Sequence, residues 1–157
     1  MSNKYLILIG NIDNELEEIN KTVQRAKKAW VLALEKNEPF YLDSVALSLH
    51  DFYNGLERLF ERIAESVDEY KPAGTNWHRE ILNQMILEIP NVRPSIISQG
   101  LKENIDEYRA FRHIVRNVYA HNLRIDKMKN LIENIDTMFK ELKNSLQIFC
   151  KFLNSVK

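Results

Sequence analysis

At 157 residues, the chain is long enough to bury roughly 68–70% of its unfolded surface as one domain, so no disulfide or metal is needed to complete a core. Its composition, 45% hydrophobic and 28% charged with four glycines and four prolines, excludes a disordered chain and reads as helix-rich and globular. The formal net charge is zero, which excludes a global field drawing in nucleic acid, so any RNA-binding role has to come from a local cluster of basic side chains.

The first apolar run, Tyr5–Ile9, is too short for a signal-peptide core. Neither it nor Ala29–Leu34 approaches the roughly 18 residues of a membrane span. A cytosolic protein without a membrane partner is expected. From Ile9 the apolar positions run Ile9, Ile12, Leu16, Ile19, Val23, Ala26, Trp30 and Ala33, in the alternating steps of three and four that mark a long amphipathic helix. That pattern stops at Glu38-Pro39, and Asp43 or Ser44 offers a cap for a second helix bearing Val45, Leu49, Phe52, Leu56, Leu59, Ile63 and Val67. The segment from Lys71 to Asn76 reads as a loop, with Thr75 and Asn76 as caps for a third helix over Trp77–Ile89.

Pro90 and Pro94 bracket the exit of that helix, and Pro94 suits the first turn of a fourth, whose apolar face is Ile97, Leu101, Ile105, Tyr108, Phe111, Val115 and Val118. The pattern breaks around Asn122–Asp126. Asp126 is the expected cap for a last helix carrying Met128, Leu131, Ile135, Met138, Leu142, Phe149 and Leu153. Cys150, the one cysteine, sits in this pattern as a small buried hydrophobe. The expectation is one all-α domain spanning residues 1–157, an antiparallel four- to five-helix bundle.

The fourth helix carries a second stripe. Arg109, Arg112, His113, Arg116, Asn117, His121 and Arg124 recur at three- and four-residue offsets opposite the apolar face. Cations spaced this way repel one another, so the stripe either meets carboxylates on neighbouring helices or awaits a polyanion whose phosphate oxygens the guanidinium forks can grip. Within it, Arg116 and His121 are separated by four intervening residues, a spacing that chance also produces and that needs context to carry weight.

Context comes from resemblance. The stretch Tyr108-Arg109-Ala110-Phe111-Arg112-His113-Ile114-Val115-Arg116-Asn117-Val118-Tyr119-Ala120-His121 resembles the signature helix of HEPN domains of the HepT-like kind. Asn76-Trp77-His78-Arg79-Glu80-Ile81-Leu82 and Val92-Arg93-Pro94-Ser95-Ile96-Ile97-Ser98 are similar to family segments in the same order. The resemblance implies a helical homodimer in which two arginine–histidine motifs face each other, cleavage of RNA (tRNA or mRNA) without metal or cofactor, and a minimal nucleotidyltransferase (MNT) as antitoxin. In that family the antitoxin transfers AMP to a tyrosine two residues after the motif histidine. This chain has Leu123 there, leaving Tyr119 as an alternative acceptor or a base-stacking or core residue.

The residue chemistry fits. Cutting RNA without a metal takes a proton acceptor for the 2′-hydroxyl, a donor for the leaving 5′-oxygen and fixed positive charge for the phosphorane. Histidine exchanges a proton near neutral pH and arginine stays charged, so His121 and Arg116 are the expected catalytic pair. Asn117, one helical turn before His121, is expected to orient the imidazole, with Tyr119 in support, while Arg109, Arg112, His113 and Arg124 bind RNA. In an unbroken helix residues five apart diverge by about 140°, so a twofold pairing would be needed to bring both groups to one phosphate.

Other features read more plainly. Trp77, His78 and Arg79 are expected to anchor the preceding loop rather than flank an RNA groove, and His50 is assigned no role. A di-metal site of the Glu-x-x-His kind is excluded, since Leu47, Thr75, Ala110 and Val118 precede the four histidines by three. Two other functions remain in play: a non-catalytic helical module partnering a minimal nucleotidyltransferase, and a plain interaction protein whose arginines are neutralised internally.

Overall fold

A computed structural model of the chain describes residues 3–156. Its helices are α1 (Asn3–Lys36), α2 (Phe40–Ile63), α3 (Trp77–Ile86), α4 (Gln99–Asn117) and α5 (Ile125–Ser155). A π-helical turn, Ala64–Asp68, extends α2, and a short 3₁₀ turn, Ala120–Asn122, lies between α4 and α5. The architecture is all-α, as the spacing of apolar residues requires.

Long-range contacts fix the topology. Glu15 of α1 meets Arg58 of α2, Tyr108 of α4 donates a 2.7 Å hydrogen bond to the Leu131 carbonyl of α5, and Lys27 of α1 pairs with Asp136 of α5. In the α1–α2 and α1–α5 pairs a residue from the first half of one helix meets one from the second half of its neighbour, and in the α4–α5 pair mid-helix Tyr108 meets Leu131 near the start of α5. The four long helices therefore form an antiparallel ring in the order α1, α2, α4, α5, with α3 packed against α2 and α4. The last turns of α1 and α4 and the first turns of α2 and α5 consequently share one end of the bundle.

The apolar stripes fill the ring. Every stripe residue expected on α2 and α5 is buried, from Val45 to Val67 and from Met128 to Leu153. Each removes a large side chain from water, worth about 1.5–3 kcal/mol apiece before chain entropy is counted. Gly55 of α2 lets α1 approach closely: a Cβ there would lie 2.7 Å from Ile19 Cγ1. None of the helices formed by the described residues is long and apolar enough to cross a membrane.

The helix ends differ from expectation in ways that matter for the site. α2 begins at Phe40 behind Pro39, so Asp43 and Ser44 lie inside the helix instead of capping it. Asn76 precedes α3 without a side-chain capping bond, and α3 stops at Ile86, short of Ile89. Pro94 does not open α4. A non-helical segment with a bend at Ile96–Ile97 intervenes, and Ser98 caps α4 by accepting a 3.0 Å bond from the Leu101 N–H.

At its other end α4 stops at Asn117, with Val118 extended and exposed rather than on the apolar face. Asp126 is in the first turn of α5, with Arg124 at the capping position. A carboxylate there still complements the helix dipole.

Candidate functional site

Five of the stripe residues share one groove. Arg109, Arg112, His113, Arg116 and Asn117, from successive turns of α4, line a depression of about 330 Å³ whose remaining wall is His78, from the first turn of α3. Its location follows from the fold, because α3 packs across α2 and α4 and brings the start of one helix against the last turns of another.

Charge in the groove is unevenly balanced. Arg109 is tied to Asp106 by a 2.6 Å ion pair one turn back. Among the described residues Arg112 and Arg116 have no carboxylate partner. Arg112 lies over the Tyr53 ring at 5.9 Å, and its Nε is buried without an acceptor. An unsatisfied buried donor costs about 1–3 kcal/mol. The reading in which every arginine is neutralised inside the chain therefore holds for Arg109 and fails for the other two.

Behind the groove runs a relay that the sequence reading did not assign. Glu57, buried on α2, accepts a 2.8 Å hydrogen bond from the Tyr53 hydroxyl and meets His78 Nδ1 at 2.6 Å through the same oxygen. Burial, followed by the nearby Glu57 carboxylate, pushes the Tyr53 phenol far above its ordinary range, so it stays protonated as the donor. The Trp77 ring lies against the His78 imidazole with centroids 3.8 Å apart. His78 is thus clamped at Nδ1 and on one face while its side chain lines the groove. The spacing of Tyr53 and Glu57, one helical turn apart beside the apolar stripe of α2, was the available signal.

The motif itself is split. Arg116 belongs to the last turn of α4, whereas His121 sits in the 3₁₀ turn beyond it. The premise of an unbroken helix from Arg116 to His121 is overturned, and with it the angular argument for a twofold. The Asn117 amide does not reach forward to His121. It donates a 2.6 Å bond back to the His113 carbonyl one helical turn earlier.

His121 is exposed and stacks on Tyr119, with centroids 5.5 Å apart and planes 10° from parallel. Tyr119, 75% exposed, is not a core residue. Leu123 packs partly against the core, and Arg124 pairs with Asp126 at 3.3 Å on the surface, outside the groove.

His50 of α2 lies near enough to the same arginines to feel their charge. Its Nδ1 is buried without a partner, and burial first, then Arg112, hold its pKa below the usual imidazole value. A more apolar recess of about 380 Å³ between the α2–α3 loop and α3 has Asp68 and Glu80 in its wall and no cationic side chain, so it is no candidate for an anion.

A model of the family described as HepT-like protein matches residues 44–153. The match takes in α3 and α4 whole and most of α2 and α5. No curated protein and no solved structure matches the chain.

Proposed function

Since the chain belongs to the HepT-like protein family, we propose that it is a metal-independent endoribonuclease, the toxin half of a toxin–antitoxin pair, acting on tRNA or mRNA as a homodimer. The observation that carries this reading is the pair Arg112 and Arg116, which among the described residues lack carboxylate partners and face a groove beside the arginine–histidine motif. Unpaired guanidinium charge of this kind is suited to a bound phosphate, whose oxygens the planar fork grips.

In the proposed reaction one His121 takes the proton of the 2′-hydroxyl, and the freed oxygen attacks phosphorus. The bond from phosphorus to the 5′-oxygen breaks, and that oxygen takes a proton from the second His121, leaving a 2′,3′-cyclic phosphate. Arg116 stays charged throughout and stabilises the phosphorane. Tyr119 supports the imidazole by stacking, as the parallel rings suggest. Exposed apolar side chains at the same end of the bundle, Ile114, Val118 and Ile125, favour a second copy meeting it there.

The partner antitoxin is a minimal nucleotidyltransferase. With Leu123 in place of the usual acceptor, inhibition proceeds either by occlusion or through the exposed Tyr119 hydroxyl inside the motif. Purified wild type, Arg116→Ala and His121→Ala, assayed on total RNA without divalent metal, test the assignment. Loss of the acid–base group should slow cutting about 10²–10⁴-fold, Arg116→Ala should also impair it, and Leu123→Ala should not. Equal cutting by wild type and His121→Ala removes the role given to His121. A stable complex with the nucleotidyltransferase and no cleavage at any ionic strength favours a non-catalytic partner module instead.

A further inference from the structure

The groove contains a histidine that the motif does not account for. His78 comes from α3, and its Nδ1 is committed to a carboxylate that also holds the Tyr53 hydroxyl. Glu57 is buried and has no cationic partner other than this imidazole among the described residues. A carboxylate bound at Nδ1 fixes the tautomer and ring orientation, leaving Nε2 directed away from the clamp. Trp77 restrains the same ring from its face.

The opposite wall supplies Arg112 and Arg116. Side chains held this way, with unpaired guanidinium groups across a cleft of about 330 Å³, have the size and chemistry of a small-ligand site for a phosphate group. His121 does not line the groove, whereas Arg116 does. The groove therefore adjoins the motif through a shared arginine while remaining separate from its histidine.

We infer that each protomer carries a complete phosphate-binding subsite, in which His78 and Arg112 contact the ligand, Arg116 is shared with the motif, and Glu57 with Tyr53 positions His78. This rests on the ribonuclease reading in one respect, the identity of the ligand: an RNA phosphate next to the one at which the chain is cut. His78 is then a binding residue, and its loss weakens substrate capture without removing the proton transfer at His121.

The test has two arms. In the first, inorganic phosphate and a single-stranded 2′-deoxy oligonucleotide, which lacks the attacking hydroxyl, are titrated into wild type, His78→Gln, Arg112→Gln and His121→Ala, with the imidazole resonances and the heat of binding as readouts. The oligonucleotide should bind wild type and His121→Ala alike. It should bind about tenfold or more weakly to His78→Gln and Arg112→Gln, as expected when a hydrogen bond to a charged group is lost. Because Arg112→Gln lies on the groove side of α4, it reports even if His78→Gln disturbs α3.

In the second arm, RNA cleavage by His78→Gln should show KM raised about tenfold and kcat within about twofold of wild type. Equal binding by wild type and both groove variants overturns the subsite. So does binding of free phosphate with none of the oligonucleotide, which assigns the groove to a small phosphate instead of RNA, or a fall in kcat at constant KM, which makes His78 part of the chemistry. Oligonucleotide binding that depends on His78 and Arg112 in a protein that cuts no RNA upholds the subsite while refuting the ribonuclease.

Discussion

His50 shows how the unpaired arginines affect the folded state beyond the groove. Burial and the neighbouring Arg112 and Arg116 lower its pKa against the weaker opposing pull of Asp51. The unfolded chain, with an ordinary imidazole near 6.5, then binds a proton that the folded chain refuses. Stability from this residue is fully present above that value and is lost as pH falls from there toward the lowered folded pKa. The urea midpoint should therefore drop less between pH 7 and pH 5 in His50→Gln than in wild type, and identical drops would show that the burial of His50 has no titrational consequence.

The same scale shows how far the site was legible. The arginines of α4 stand out because their spacing gives them one face, and the structure brings Arg109, Arg112, His113, Arg116 and Asn117 together there. Glu57 does not stand out, because its partner His78 is 21 residues away in sequence and is met only through the docking of α3. Spacing reveals neighbours on one helix and is blind to neighbours made by packing.

At the scale of elements, the long helices were legible because their buried positions recur at helical spacing, while their ends were set by contacts that spacing does not register. Arg93 is the clearest case. Its five N–H donors are all used: two reach the Asp68 carboxylate at the end of the π-helical turn, and the others reach the carbonyls of Gln84, Leu87 and Pro94. Gln84 adds bonds to Asp68 and to the Tyr70 carbonyl.

This network, together with the hydrogen-bonded turn from Ile89 to Arg93, fixes a non-helical path between α3 and α4, which is why α4 waits for Ser98 instead of starting at Pro94. With side chains 0% and 2% exposed, Arg93 and Asp68 are a buried ion pair. Removing one partner strands the other in a low dielectric. Arg93→Ala should cost about 3–5 kcal/mol in urea unfolding. Arg93→Lys should recover only part of that, since an ammonium lacks the planar fork. A cost below about 0.5 kcal/mol, the size of an ordinary surface substitution, would mean that another element sets the start of α4.

Over the whole molecule the formal charge cancels, so RNA capture depends on where cations gather, and the groove is complete in one protomer whereas the proposed cutting site is not. The two should therefore separate when copies are kept apart. Val118 is suited to that test: it is exposed just beyond α4, on the motif's own end of the bundle, and its side chain is outside both the core and the groove. A carboxylate there, as in Val118→Asp, places like charges opposite one another wherever two such ends meet across a twofold.

The expected outcome is a change in sedimentation from twice the 18.6 kDa chain mass to a single copy, loss of RNA cleavage, and unchanged affinity for the 2′-deoxy oligonucleotide at fixed ionic strength. A variant that sediments as a single copy and still cuts at the wild-type rate would make each protomer self-sufficient. The proton donor for the leaving oxygen would then have to be found within one chain, among His121, His113 and His78.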